Sequence, residues 1–381
     1  MIIDTHTLVC CIILVAICII SVFMNPFMRR IHKKQEEGVM PENEEKPISV
    51  LVLANDNAEA LDAHLPQLLS QKYAADYEVI VVMKHGDIAT ECVIKKYSQY
   101  QNLKTTFIPN RSLFMSAKKL SATLGVKAAR YEWVVLLDAE SSPLSDNWLS
   151  SISGNCNDES DMVFGYSNYS SETKSSYRFE RIRTLYYLMH QAVKGCAYRC
   201  NGSNLAFRKK MFIDGDGYKG NLQFMNGEYD FIVNKYSTPL RTGVVTSKDA
   251  IIIEDMPSKK TWINRNLSYL HLRCAMKHGK WLRFLYNADA LLLWANYFFI
   301  ISGIAVSAVT RNWLLLAVSV VSLFATLWMR VAFANKALRA FDESIPIWKI
   351  PFLELLISCH NASYRFRYLR SDKRDFSTHK L

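Results

Sequence analysis

No glycine stands between Leu53 and Leu65, the stretch that leaves the first apolar strand candidate. A backbone cradle for phosphate is therefore absent there, which excludes a nucleotidyltransferase built on a similar sheet. Paired cysteines are also lacking. Cys10, Cys11 and Cys18 share one apolar run, Cys196 and Cys200 have three residues between them, and Cys92, Cys156, Cys274 and Cys359 are scattered. Neither a zinc site nor a disulfide framework follows from such spacing. Acid is the minority charge, with 35 Asp and Glu against 46 Lys and Arg and a net charge of +11. The bases cluster beside apolar runs, where each adds about 1 kcal/mol of attraction to anionic lipid. Membrane lipid is thus the expected partner, and nucleic acid is not.

Half of the 381 residues are hydrophobic, unevenly placed. Leu8 to Met24 is almost unbroken and long enough to span a bilayer. Its charges, Arg29, Arg30, His32, Lys33 and Lys34, come after the apolar run, and no small-residue cleavage site follows. That pattern is an uncleaved anchor and not a signal peptide. Ala288 to Val309 and Trp313 to Met329 are separated by Thr310, Arg311 and Asn312 and read as a membrane hairpin. Arg330, Lys336, Arg339 and the basic tail from Tyr364 to Lys380 then form a positive flank. Three spans place the region between them and the tail on one side, expected to be the cytoplasmic face of a plasma (inner) membrane in a multi-pass protein. The apolar, proline-broken Ile345 to Leu356 is too short to span and is expected in the interface.

The run Trp133-Val134-Val135-Leu136-Leu137 ends in Asp138-Ala139-Glu140. A buried strand here delivers two carboxylates to the carboxyl edge of a sheet, where open α/β sheets bind ligands. Two carboxylates at i and i+2 suit a hard divalent cation whose other sites are filled by phosphate oxygens. Upstream, strand-like runs at Ile48 to Leu53, Tyr77 to Val82 and Thr105 to Ile108 alternate with helical stretches at Ala58 to Gln71, Glu91 to Gln99 and Ser116 to Ala129. Alternation of this kind means a mostly parallel sheet covered on both faces. The expected division is an anchor over 1–28, a linker over 29–47 (polar and acidic from Gly38 to Lys46), a folded domain over 48–287, a hairpin over 288–329 and a basic tail over 330–381.

The succession Ile48-Ser49-Val50-Leu51-Val52, Leu65-Pro66-Gln67-Leu68-Leu69-Ser70-Gln71, Tyr77 to Val82, Lys118-Lys119-Leu120 with Leu124 to Ala129, and Leu136 to Glu140 resembles family-2 inverting glycosyltransferases of the membrane-anchored bacterial type. The resemblance implies an α/β chain with a GT-A nucleotide-binding fold, its mixed sheet mostly parallel, plus three transmembrane helices. It also implies a nucleotide-sugar donor near Ala54, Asp56, Asp87, Lys118 and Asp138, and Mg or Mn on Asp138 and Glu140. Asn201-Gly202-Ser203-Asn204 looks like the family's acceptor-side segment, with Trp262 and Arg265 further along. Gly227-Glu228-Tyr229-Asp230-Phe231 resembles the acidic motif that supplies the general base, and either Glu228 or Asp230 fits.

Departures accompany the match. Met83-Lys84-His85-Gly86-Asp87 stands where relatives carry an Asp, leaving Asp87 in a shifted position. Ser258 to Arg265 lacks the arrangement found in processive polymerases, so Trp262 is expected at the bilayer surface and Lys259, Lys260 or Arg265 at a phosphate. The activity implied is sugar transfer, with a lipid-linked acceptor, in surface polysaccharide or glycolipid synthesis. The competing reading is a non-catalytic scaffold whose pocket has decayed.

Overall fold

The computed structural model describes residues 4–31, 45–109 and 114–377. Most of the expected linker, with His32, Lys33 and Lys34, lies outside them. In chain order the elements begin with α1 (Thr5–Met24), β1 (Ile48–Leu53), α2 (Ala58–Leu69), β2 (Tyr77–Lys84), α3 (Ile88–Lys96), β3 (Leu103–Ile108), α4 (Ala117–Ala128) and β4 (Trp133–Asp138). Next come β5 (Ser141–Pro143), α5 (Trp148–Ser153), β6 (Met162–Phe164), β7 (Ser167–Tyr169), α6 (Ser175–Val193), β8 (Leu205–Arg208), α7 (Lys209–Asp214), α8 (Glu228–Tyr236), β9 (Thr242–Val244) and β10 (Ile252–Glu254). Four helices follow: α9 (Lys259–Leu272), α10 (Lys280–Thr310), α11 (Trp313–Ala340) and α12 (Ile350–Arg370).

Two compact units result, and neither is one continuous stretch of chain. A helical unit combines residues up to Arg30 with Ser175–Tyr187 and Lys280–Ala362, and an α/β unit combines Ile31–Lys174, Leu188–Gly279 and Ser363–Leu381. These limits differ from sequence boundaries at 287/288 and 329/330. The reason in the helical unit is side-chain chemistry: Phe179 of α6 packs on Phe27 at 5.7 Å between ring centres, and Arg183 of α6 meets Asp289 of α10 at 2.5 Å.

In the α/β unit a seven-stranded sheet has the order β3-β2-β1-β4-β8-β6-β9. The first four strands are parallel, as the alternating pattern requires, while β8 runs antiparallel to β4 and β6. Every residue of β1 and β4 is buried, which accounts for sequences that are apolar apart from Ser49 and the terminal Asp138. Each such Val or Leu contributes about 1.5–3 kcal/mol. Gly125 lets α4 lie close on this sheet, since a Cβ there would come within 2.9 Å of Val82. Register pairs Leu53 with both Val82 and Asp138, so β1 and β4 end level at one edge while β2 runs on to Lys84. A second, three-stranded sheet, β5-β10-β7, stands beyond Asp138.

In the helical unit α1, α10 and α11 are each long and apolar enough to cross a membrane, with 20, 31 and 28 residues. The apolar runs understated the last two helices, which extend through polar residues at Lys280 to Asn287 and Arg330 to Ala340. Arg330 is a correction. It is 2% exposed and not a solvent-facing flank, with Nη1 3.0 Å from Asp289, Nε 2.8 Å from Glu354, and Nη1 donating to the Ser21 carbonyl at 2.7 Å. The description of Ile345 to Leu356 as proline-broken is corrected too. Pro351 occupies the first turn of α12, where its missing N–H breaks no helical bond, so the helix runs unbroken from Ile350 to Arg370.

Candidate active site

The edge where β1 and β4 end gathers the acidic residues. Asp138, the last residue of β4, is 8% exposed, and the Lys118 ammonium at the start of α4 lies 3.1 Å from it. The same ammonium is 3.6 Å from Glu228. Burial alone would lower the pKa of Lys118, yet the carboxylates of Asp138 and Glu228 outweigh it and raise the value. Lys118 is thus a fixed positive charge between two acids.

Glu228 opens α8, and the backbone before it explains its placement. Gly227 has φ +95°, a left-handed turn that a side chain would strain. A Cβ there would also come within 2.9 Å of Phe231. Glu228 is buried, and its Oε2 has no hydrogen-bond partner among the described residues. Asp230, two residues on, is committed elsewhere. It accepts from Arg199 Nε and from the Asn201 amide, each at 2.9 Å. That amide belongs to a left-handed residue, Asn201 at φ +67°, so Asp230 braces the loop's turn.

Glu140 is half-exposed. It accepts from Asn57 at 3.1 Å and lies 3.7 Å from Arg265. Arg265, in α9, also donates to Glu254 at 3.1 Å and to the Tyr169 hydroxyl at 3.0 Å. Burial disfavours its charge, but Tyr169, Glu254 and Asp138 outweigh that and raise its pKa well above the ordinary value.

Other predicted residues have structural jobs. Ala54 is fully buried and pairs its amide with Val82 at 3.0 Å. Asp56 is left-handed, at φ +56°, and forms an ion pair with Lys84. Asp87 caps α3, accepting from the Thr90 amide at 3.2 Å and its hydroxyl at 2.7 Å. Ser203 donates to Glu254 at 2.8 Å, next to Gly202 in the same turn. Asn204 is fully buried and tied to the Tyr166 and Ala250 carbonyls at 2.9 and 2.8 Å, while accepting from Trp148 at 3.2 Å. This makes it a cross-link in the core and not a surface lining. Trp262 is likewise not at a bilayer surface: it is 5% exposed, packs on Tyr169 and donates to Tyr364 at 2.7 Å.

Several site residues escaped the sequence reading. Asn55, following Ala54, has a buried amide with neither its oxygen nor its nitrogen bonded among the described residues. Tyr229, between the two acids of α8, has a buried hydroxyl that is also unbonded, and burial followed by Asp138 and Glu228 raises its pKa well above the ordinary value. Lys119 is fully buried and donates to the carbonyls of Asn221 and Phe224 at 2.7 and 2.6 Å. Desolvation lowers its pKa to about 8 against the opposing pull of Glu228. The loop it holds is gripped from its other side by the C-terminal segment, where the Met225 amide donates to Phe376 at 3.0 Å.

Among the described residues no three His, Cys, Asp or Glu side chains converge as a ready metal cage. The donor chemistry at Asp138 and Glu140 nevertheless suits a hard divalent ion that takes one or two carboxylates and draws its other oxygens from phosphate and water.

No family model matches the chain, and no curated protein matches it. Among solved structures it is similar to the mannosyltransferase PcManGT from Pyrobaculum calidifontis, in complex with GDP-Man and Mn2+, at 15% identity and TM-score 0.54, covering 87% of this chain and 98% of that one. The S. aureus TarS 1-349 structure in complex with UDP-GlcNAc is more distant, at 14% identity and TM-score 0.43 over 84% and 91% of the two chains. The order of strands, the acidic edge and the coverage of the mannosyltransferase agree: this chain has a glycosyltransferase fold with three membrane-length helices.

Proposed function

We propose that the protein is a membrane-bound glycosyltransferase that moves a sugar, with inversion, from a nucleoside-diphosphate sugar to an acceptor. The observation that carries this reading is the contrast within α8. Glu228 keeps a buried carboxylate oxygen unbonded beside Lys118, whereas both oxygens of Asp230 are taken by Arg199 and Asn201. A general base needs such an available oxygen within reach of the proton it removes. Glu228 takes the proton of the acceptor hydroxyl as that oxygen bonds the anomeric carbon. The bond to the diphosphate breaks on the opposite face, and its electron pair leaves with the nucleotide.

Asp138 and Glu140 would hold Mg or Mn, which when bound offsets charge on the departing diphosphate. Lys118 supplies a second positive charge at the same edge, and Asn55 offers an unsatisfied amide for the nucleoside. In this reading Asp56 and Asp87 would act on the donor side indirectly, Asp56 through its ion pair with Lys84 and Asp87 through the α3 cap. The mannosyltransferase of similar fold was solved with GDP-Man and Mn2+, which makes GDP-mannose the first donor to test. The acceptor side runs from Asn201 to Ser203 and across to Arg265, with Asn204 and Trp262 supporting it from within. With three membrane-length helices, a lipid-linked acceptor at the cytoplasmic face of the plasma membrane, serving surface polysaccharide or glycolipid synthesis, fits best. A decayed scaffold has no use for a buried Glu228 with one oxygen unbonded, since such an atom costs stability without a ligand.

Calorimetric titration of the detergent-solubilised protein with GDP- and UDP-sugars, with and without Mn, tests the reading. Binding of a donor that strengthens with Mn is expected. A folded protein that binds none under either condition ends it.

A further inference from the structure

The reverse side of α9 carries a feature that sugar transfer does not use. Lys259, Lys260, Ile263, Asn264 and Leu267 line a groove of 520 Å³ closed by Arg367 of α12. Its floor is aliphatic and its rim holds three cations. None of the three has an ion-pair partner among the described residues, although most buried or half-buried bases of this unit do. Beside the groove the surface is apolar and basic at once. Met256, Phe366 and Leu369 are 58%, 54% and 77% exposed, and Arg370 lies 4.0 Å over the Phe366 ring.

We propose that this groove binds an anionic membrane phospholipid, its phosphate held by Lys259, Lys260 and Arg367 and its acyl chain laid over Ile263 and Leu267. Charge selects an anion, the aliphatic floor selects an amphiphile, and the chain's membrane-length helices bring it to a bilayer. The ligand is not the sugar acceptor. At about 100° per residue, Arg265, which reaches Glu140 and Glu254, projects roughly 200° around α9 from Ile263 and Leu267. A helix about 10 Å thick therefore separates the groove from the acidic edge. The proposal does not depend on the transferase reading.

The test uses the full chain in neutral detergent, with retained lipid counted by native mass spectrometry after addition of dioleoyl phosphatidylglycerol, dioleoyl phosphatidylcholine or farnesyl phosphate. Wild type is expected to retain phosphatidylglycerol selectively. Lys259→Gln/Lys260→Gln/Arg367→Gln should bind it roughly a hundredfold more weakly, at about 1 kcal/mol per base. Lys95→Gln/Lys104→Gln/Lys127→Gln removes the same charge from other exposed positions and should bind as wild type. Asn264→Trp fills the groove with its charge intact and should lose the lipid too. Equal loss in both triple variants, equal retention of phosphatidylcholine, full binding by Asn264→Trp, or retention of farnesyl phosphate in place of phosphatidylglycerol would each overturn the proposal.

Discussion

Arg199 donates to Asp230 across 2.9 Å, and this bond separates two acids that sequence alone leaves equivalent. Asp230 braces the 199–204 loop, while Glu228 has an oxygen to spare. Asp230→Asn should therefore strand a buried guanidinium and cost about 3–5 kcal/mol of stability. Glu228→Gln should melt near the wild-type temperature yet transfer at least 100-fold more slowly, in the range expected for loss of a general base. Melting curves and single-turnover rates on both variants decide the assignment; a normally stable Asp230→Asn protein without activity would reverse it.

Asp138 and Glu228 share Lys118 but are given different work. Asp138→Asn is expected to weaken donor binding mainly when Mn is present, whereas Glu228→Gln leaves donor affinity within a few-fold of wild type. Titration calorimetry on the two variants reads this directly. The same loss of affinity in both would contradict the division of roles.

Lys119 should impose a pH dependence on the α/β unit. Its folded pKa is lowered to about 8 from the ordinary 10.5. Between those values the unfolded chain holds a proton that the folded chain has released, so stability rises with pH through this window. The destabilising contribution is fully present below pH 8. Denaturant midpoints measured from pH 7.5 to 10.5 should rise more steeply for wild type than for Lys119→Met, and parallel curves would refute the effect.

The ion network around Arg330 should behave as a balanced set. Asp289 meets both Arg183 and Arg330, and Glu354 meets Arg330 and Asn25. Arg330→Met leaves a net negative charge buried and is expected to cost about 3–5 kcal/mol. Arg330→Met/Glu354→Gln removes one charge of each sign and should recover part of that loss. Thermal melts in detergent compare them, and a double variant less stable than the single one would rule out charge balance as the organising term.

How much of this was legible in advance depended on the range of each interaction. β1 was readable to the residue from Ile48 to Leu53, because a strand covered on both faces has no polar alternation to confuse its limits. Asp138 was readable because a buried strand ending in acid is a local pattern. Arg330 was misread because a base after an apolar run looks like a solvated flank, and its partners Asp289 and Glu354 lie far off in sequence. Asn204 and Trp262 were misread for a similar reason: what fixes them is contact with Trp148 and Tyr364, which no spacing encodes. Strands β5, β7 and β10 have three residues each, too few for any periodicity. Asn55, Tyr229 and Lys119 are identified by burial and hydrogen bonding, which become visible only with the fold.

The grip of Phe376 on the loop before Glu228 has a consequence in time. A ribosome makes that loop early and its clasp late, with α10 and α11 between them. Until the two membrane-length helices and the segment after them have been made, that loop has Lys119 and the Asn226–Ser268 bond but not its clasp. The clasp on the loop that leads into Glu228 is in this way the last of its contacts to be synthesised, after both helices of the hairpin.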